Sequence, residues 1–466
     1  MRAGEGCRVW TLPSSLTAMS ASTLSLRKAR LFSWRSVMLS LNRFALLATI
    51  VVLAWQRNWP VELPGFDSAS VPFTHFLPAV RLVELLAAAT VAAYTLAGWP
   101  NYARLRHGPR KAFALGLFAM WIVSGVSSLW ALHPGLSLAQ FAHMAVWIAF
   151  ALMLACGEWP AERLAAAFLG GVLIHGGVGL LQSALQHFVG LGPRFGELPI
   201  RPGDGWSSVV FAGSERWLRA YGLSSHPNIL GGHVAIGLLL AFGLLKIWPR
   251  IWRALIVFAW AIGWGLLLLT FSRSAWAAFA LGGVVAGALF VRAGHFRRAT
   301  LVAALQLAGV GAALAIVFAL AFHVFLVGRV QPSRPEDIDS VAERGDMLSL
   351  AAEMIAARPM TGVGAANFSV MSRVMLGYPL DWVHNVPLLV TSELGLPGLA
   401  AFAAMIASLL GAARRRWRLR SMTMWQCLLG GGLAALMLVM LFDHYVWTTP
   451  QGALLWSLIT GWWMAE

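Results

Sequence analysis

Charge is scarce in this sequence. Of 466 residues only 12% are charged and 59% are hydrophobic, with a mean hydropathy of +0.70. Soluble globular domains carry about 25% charged and about 45–50% apolar residues, so a soluble enzyme and a disordered chain are both excluded. Acids are rarer than bases: 19 Asp and Glu stand against 35 Lys and Arg, for a formal net charge of +16. In so apolar a chain that excess marks orienting loops that meet anionic lipid, and no nucleic-acid partner is expected. Cysteine is nearly absent. Cys7, Cys156 and Cys427 fall in the N-terminal tail and in apolar runs, without CxxC or zinc spacing, so neither a disulfide framework nor a cysteine metal site is expected. There is no room for a large soluble domain, because the longest non-apolar stretch, Gly328–Asn385, is about 58 residues.

What is abundant is the apolar run. A membrane helix takes about 20 such residues, and twelve runs qualify: Val37–Trp55, Phe76–Ala97, Ala112–Leu132, Leu136–Cys156, Leu164–Phe188, Asn228–Ile247, Ala254–Phe271, Ser274–Val291, Thr300–Val327, Val386–Ala412, Met422–Leu441 and Pro450–Met464. Only helices satisfy an open backbone inside lipid, so the fold expected is an all-α polytopic membrane protein. The chain divides into a basic tail 1–36, spans 1–5 over 37–188, an outer loop 189–227, spans 6–9 over 228–327, a large outer loop 328–385, and spans 10–12 over 386–466. The tail reads as cytoplasmic, or as an over-extended start with Met19 or Met38 as the true initiator. The tail and segments 98–111, 157–163, 246–253, 292–299 and 411–421 carry the lysines and most arginines, whereas 58–75, 133–135 and 443–449 carry neither. That alternation predicts which loops are cytoplasmic.

The two long outer loops break the pattern with arginine alone: Arg194, Arg201, Arg216 and Arg219 in the first, Arg329, Arg334, Arg344, Arg358 and Arg373 in the second. Arg273 stands in the short outer turn Phe271–Ser274. The guanidinium fork grips phosphate bidentately, so these are candidate anion ligands, with interfacial snorkelling the alternative for Arg273. Within the second loop, Ser340–Arg358 has apolar residues at Met347, Leu348, Leu350, Ala351, Met354 and Ile355, which predicts an amphipathic helix. Glu336, Asp337 and Asp339 form the nearest approach to a metal-binding acidic pair on that face and are read as a solvated loop; no metal is expected. His143, His175, His187 and His233 lie in or at the ends of spans, where helix–helix hydrogen bonds explain them. His384 differs. It ends the large loop beside Asn385, with Pro387 opening the next span, and an imidazole there can take a proton near neutral pH. Glu393, nine residues on, reads as a buried structural carboxyl.

The run His384-Asn385 followed by Gly395 and Gly398 (HNVPLLVTSELGLPG) resembles the signature of bacterial O-antigen ligases. That superfamily also holds O-antigen polymerases and protein O-oligosaccharyltransferases. Further similarities are Arg219-Ala220-Tyr221-Gly222-Leu223-Ser224-Ser225-His226-Pro227-Asn228, Ser272-Arg273-Ser274, Arg344 followed by Arg358–Phe368, and Asp443-His444-Tyr445. The resemblance implies a metal-independent, cofactor-free inverting glycosyltransferase in the bacterial inner membrane, its active site facing the periplasm. The donor implied is a glycan on undecaprenyl pyrophosphate, and the acceptor a lipid A-core sugar. It implies His384 as general base, Arg219, Arg273, Arg216 and Arg344 as pyrophosphate ligands, and Asn385, His226, Asp443, His444 and Tyr445 in support. Asn228 has the alternative role of capping span 6. The competing readings are a polymerase or protein transferase of the same superfamily, and a polysaccharide or lipid transporter. The transporter would be expected to carry charged pairs near the midplane, whereas the charges here cluster at the surfaces.

Overall fold

The computed structural model describes residues 34–62, 79–98, 102–295, 297–330 and 335–465, the side chains of 328–342 excepted. Most of the predicted tail lies outside the described residues. The protein is an all-α polytopic membrane protein. Helices stand where the apolar runs predict them: α1 (34–51), α2 (Leu82–Leu96), α3 (Gly108–Ser127), α4 (Pro134–Cys156), α5 (Ala161–Leu185), α6 (Pro227–Ile247), α7 (Arg250–Leu269), α8 (Arg273–Arg292) and α9 (Arg298–Ala321). The large loop holds α10 (His323–Val330), α11 (Pro335–Ala357) and α12 (Phe368–Leu376). It is followed by α13 (Val386–Leu419), α14 (Met424–Phe442), the single turn α15 (Tyr445–Thr448) and α16 (Pro450–Ala465). Nine described helices, α3 to α9 with α13 and α14, are long and apolar enough to cross a membrane; α2 is shorter, at 15 residues.

Three details depart from the sequence reading. Two antiparallel hairpins interrupt the helices: β1 (Asn58–Pro60) with β2 (Ala79–Arg81), and β3 (Val209–Ala212) with β4 (Glu215–Leu218), the latter closing through Gly213 at φ +56°. The ninth run breaks at Phe322, where an aromatic cluster of Phe271, Phe318 and Phe322 packs beside Trp217 and turns the chain into α10. Residues 335–340, expected as loop, are the first turns of α11; the side chains of Glu336, Asp337 and Asp339 lie outside the described residues.

α6 is the central helix, with 89% of its apolar window buried, while α9 has only 17% and faces outward. α8 and α14 run antiparallel at close range: a Cβ at Gly282 would sit 2.9 Å from the Gly431 carbonyl oxygen. Small residues at such crossings substitute van der Waals packing for the hydrophobic drive that lipid removes. The basic segments gather at one end. Arg110 donates to the Met464 and Ala465 carbonyls at 2.6 and 2.8 Å, Arg416 lies over Trp463, and Arg292 over Trp417. At the other end the Gln56 amide donates to the Leu223 carbonyl, joining α1 to the 189–227 loop, and the large loop seats on the α3–α4 turn.

Candidate active site

The seat of the large loop explains the Arg358–Phe368 and Gly395 similarities. α13 is broken at Gly395, φ +67°, and the freed groups are taken by residues 359–364. The Val363 and Gly364 amides donate to the Ser392 and Glu393 carbonyls at 2.9 Å each, and the Leu396 amide donates to the Pro359 carbonyl at 2.8 Å. Buried Asn367 fastens the segment to the start of α4, accepting from the His133 amide at 2.8 Å and donating to Ser137 Oγ at 3.1 Å. Glu393 is buried under this seat, accepting from the Phe368 amide with the Trp382 and Trp447 indoles beside it. The short upper segment of α13 therefore holds its first residues at a fixed height against the bundle.

His384 and Asn385 precede that segment. Asn385 caps it, accepting from the Leu388 amide at 3.0 Å, and its side-chain amide donates to the Leu441 carbonyl at 3.2 Å, tying α13 to α14. Asn385 is thus a structural cap. The His384 ring meets the His444 ring edge to face, centroids 4.9 Å apart. Its Nδ1 is buried with no hydrogen-bond partner. His444 Nδ1 is 2.7 Å from Thr448 Oγ1, and Nε2 is 3.6 Å from Asp381 Oδ1.

The two imidazoles are driven apart in basicity. Burial, then the neighbouring His444, lower the His384 pKa, against the opposing pull of Asp443 and Asp381. Burial alone would lower His444 too, but the Asp381 carboxylate, by charge and hydrogen bond, and then Asp443 hold it above its ordinary value. Arg344, on α11, is close enough to lower both. The arrangement sets a less basic imidazole, His384, beside a more basic one, His444.

Arg219 is buried, and its guanidinium donates inward: Nε to the Thr270 carbonyl at 2.6 Å, one terminal nitrogen to Ser208 Oγ at 2.7 Å, the other to Asn228 Oδ1 at 2.6 Å. Asn228 Nδ2 then donates to Asp443 Oδ2 at 2.7 Å, and Asp443 Oδ1 accepts from the His444 amide at 2.9 Å. Arg219 reaches toward the histidine pair through Asn228 and Asp443, with Nε and both terminal nitrogens each donating to a protein acceptor. Asn228 does not cap α6. His226 does, its Nδ1 accepting from the Asn228 amide at 3.1 Å. Tyr445 points into the bundle, its buried hydroxyl against Gly232 of α6, so it packs and does not face the pair.

Arg273 is the exposed first residue of α8, which Ser272 caps. A cation in the first turn opposes the helix dipole unless an anion is shared with the helix N-terminus. Arg216 is exposed on the β3–β4 hairpin and lies over Phe211; nothing described brings it to His384. Asp381 escaped the sequence reading, although an acid three residues before His384 in Asp381-Trp382-Val383-His384 was the available signal. The ligand atoms of Asp381, His384 and His444 lie within 4.8 Å of one another, a set able to take a divalent ion. It is a better candidate than the acidic stretch singled out from the sequence.

The segment that supplies Arg273, Arg344, the loop seat, His384 and the α13 break is also the segment that is recognisable. Residues 257–403 match the family described as O-antigen ligase. The chain carries the O-antigen ligase family domain. No curated protein and no solved structure matches the chain. The family domain includes His384 and Asn385, and stops short of Asp443 and His444, which packing brings to it from the last helices.

Proposed function

We propose that this protein is an O-antigen ligase of the bacterial inner membrane, transferring a glycan from undecaprenyl pyrophosphate to a lipid A-core sugar on the periplasmic face. The observation that carries the reading is His384, its basicity lowered by burial and by the neighbouring His444, inside the O-antigen ligase family domain. His384 takes the proton of the acceptor hydroxyl as that oxygen attacks the anomeric carbon from the face opposite the leaving group, and the pyrophosphate departs with inversion. Nδ1 being buried, Nε2 meets the hydroxyl. Arg273 and Arg344 take the charge that develops on the pyrophosphate. Asp381 is a positioning residue that lies 3.6 Å from His444 Nε2 and raises its basicity. The test is transfer between two lipids in detergent by the purified chain. Product in which the donor glycan is joined to lipid A-core supports ligation; donor glycan that only lengthens itself indicates a polymerase, and no transfer at all a transporter.

Three expected results go with this reading. Reporters fused after Phe195 should read periplasmic, and those after Arg106 or Arg418 cytoplasmic; the reverse would put His384 on the wrong face. Twelve crossings, with both termini cytoplasmic, belong to the same proposal. Transfer should survive EDTA, since leaving-group charge is met by arginine. Activity lost to chelation and restored by Mn²⁺ or Zn²⁺ would instead make Asp381, His384 and His444 metal ligands. Arg273→Lys keeps the charge and loses the fork, so transfer should fall about 10- to 100-fold, the scale of one charge-assisted hydrogen bond. Arg216→Lys, on the hairpin, should change it little. Equal tolerance at both would leave Arg273 an interfacial anchor.

A further inference from the structure

The end of the bundle remote from His384 holds a cavity that the transfer reaction does not use. It has a volume of about 530 Å³ and lies among the turn Tyr102–Arg106, the start of α3, the end of α13, the start of α14 and the end of α16. α3, about 30 Å long at 1.5 Å per residue, separates it from Ser127, whose Oγ accepts from the Ala365 amide beside the loop seat. Arg104, Arg110, Arg415 and Arg416 line the cavity with His107, and among the described residues no acid is part of the lining. Arg104 meets Glu158, but Arg110 is held by the neutral carbonyls of Met464 and Ala465, which orient the guanidinium without cancelling its charge. α3 starts into the same space. His107 provides no side-chain cap and the first turn has no acid, so its amides and dipole add to the positive field. A second cavity of about 430 Å³ adjoins along the outer side of α13, sharing Arg415 and Leu419 and adding Arg414 and Arg418.

Loop orientation alone asks only for scattered positive charge. Here the guanidiniums line one half-open cavity at a helix end, which is the chemistry of a phosphate site. The wall is completed by Ala412 and by Leu419, which is 62% exposed at the mouth. An apolar lip suits a phosphate that arrives with an acyl chain alongside.

We propose that this cavity binds the phosphate of an anionic glycerophospholipid of the surrounding leaflet. The proposal is independent of the transfer reaction and of the acceptor.

The test is native mass spectrometry of the purified full chain titrated with phosphatidylglycerol, with phosphatidylcholine and inorganic phosphate as separate arms. Phosphatidylglycerol is expected to bind well above phosphatidylcholine. Arg415→Gln with Arg416→Gln should weaken it about 30-fold, and exposed Arg415→Gln alone about 5-fold, from the worth of a basic residue near a lipid surface. Arg416 also stacks on Trp463, so the single variant covers loss of folding in the double. Arg250→Gln with Arg253→Gln, the same charge loss from exposed positions outside the cavity, should leave binding unchanged. Equal weakening by both double variants would reduce the effect to diffuse surface charge and overturn the site. Binding of inorganic phosphate with the same variant dependence, without preference for phosphatidylglycerol, would overturn the lipid.

Discussion

His384→Ala is expected to abolish glycan transfer while leaving the protein folded and inserted. A sugar hydroxyl is a poor nucleophile until its proton is taken, and positioned general-base help is typically worth about 10²–10⁴-fold. His384 is the described side chain best placed to give it. Its loop is fixed from below by the Asn385 cap and the α13 break, and its ring by His444. Its lowered pKa keeps it neutral at neutral pH, so transfer should persist into mildly acidic buffer and fail only below the ordinary histidine range near about 6.5. His384→Gln keeps some hydrogen bonding but cannot take the proton, and it should fail as well. The substitutions break no hydrogen bond at Nδ1, which has none. Asp381→Asn should be milder, about 10- to 100-fold, the loss of one charged hydrogen-bond partner. It should also move the acidic limb of the pH profile, which a purely structural residue would not do. Near-normal lipopolysaccharide from a strain carrying His384→Ala would remove His384 as the base. His226 and His444 are poorly placed to replace it: His226 is occupied in capping α6, and the two ring nitrogens of His444 face Thr448 and Asp381.

Much of this was legible in the sequence, and the part that was not has a common physical cause. The apolar runs located the helices because lipid leaves the backbone few alternatives. The 3.6-residue spacing of Met347, Leu350, Ala351 and Met354 located the buried face of α11. His384 was found from its place at the mouth of a span and from a motif. What the sequence could not reveal was how each polar side chain spends its hydrogen bonds. Arg219 and Arg273 read alike as arginines in outer segments. One is buried and donates to Thr270, Ser208 and Asn228, and the other is exposed at a helix start. Asp381 and Asp443 converge on His444 from opposite ends of α13 and α14, a convergence with no trace in local spacing. The glycines of the signature were read with the histidine as one motif, yet they act through the backbone.

Gly395→Ala is therefore expected to cost nearly as much activity as the loss of His384, by a different route. Gly395 has φ +67° and ψ −170°, a region nearly confined to glycine, where alanine is strained by about 1–3 kcal/mol. Its Cβ would also stand 2.6 Å from the Met360 carbonyl carbon and 2.9 Å from the Pro359 carbonyl oxygen. Those atoms cannot withdraw without breaking the Leu396–Pro359 bond, and with it the pairing of Val363 and Gly364 to Ser392 and Glu393. Three backbone hydrogen bonds at about 1 kcal/mol each bring the total to about 4–6 kcal/mol, in the range that marks severe substitutions. Gly362→Ala meets the same seat from the other side, at φ +64° with its Cβ 2.3 Å from the Glu393 carbonyl oxygen, and should match it. Both variants should insert, since the apolar windows of the spans are untouched. In both, the segment from Arg358 to Asn385 should become open to protease and transfer should fall to background, because His384 and Asn385 ride on the part of α13 above the break. Gly411→Ala on the same helix, where an added Cβ meets nothing within 4 Å, should be silent in both assays. Full activity with an intact loop in Gly395→Ala would mean that the break in α13 is dispensable and that His384 is positioned by its contacts with α14 and α15 alone.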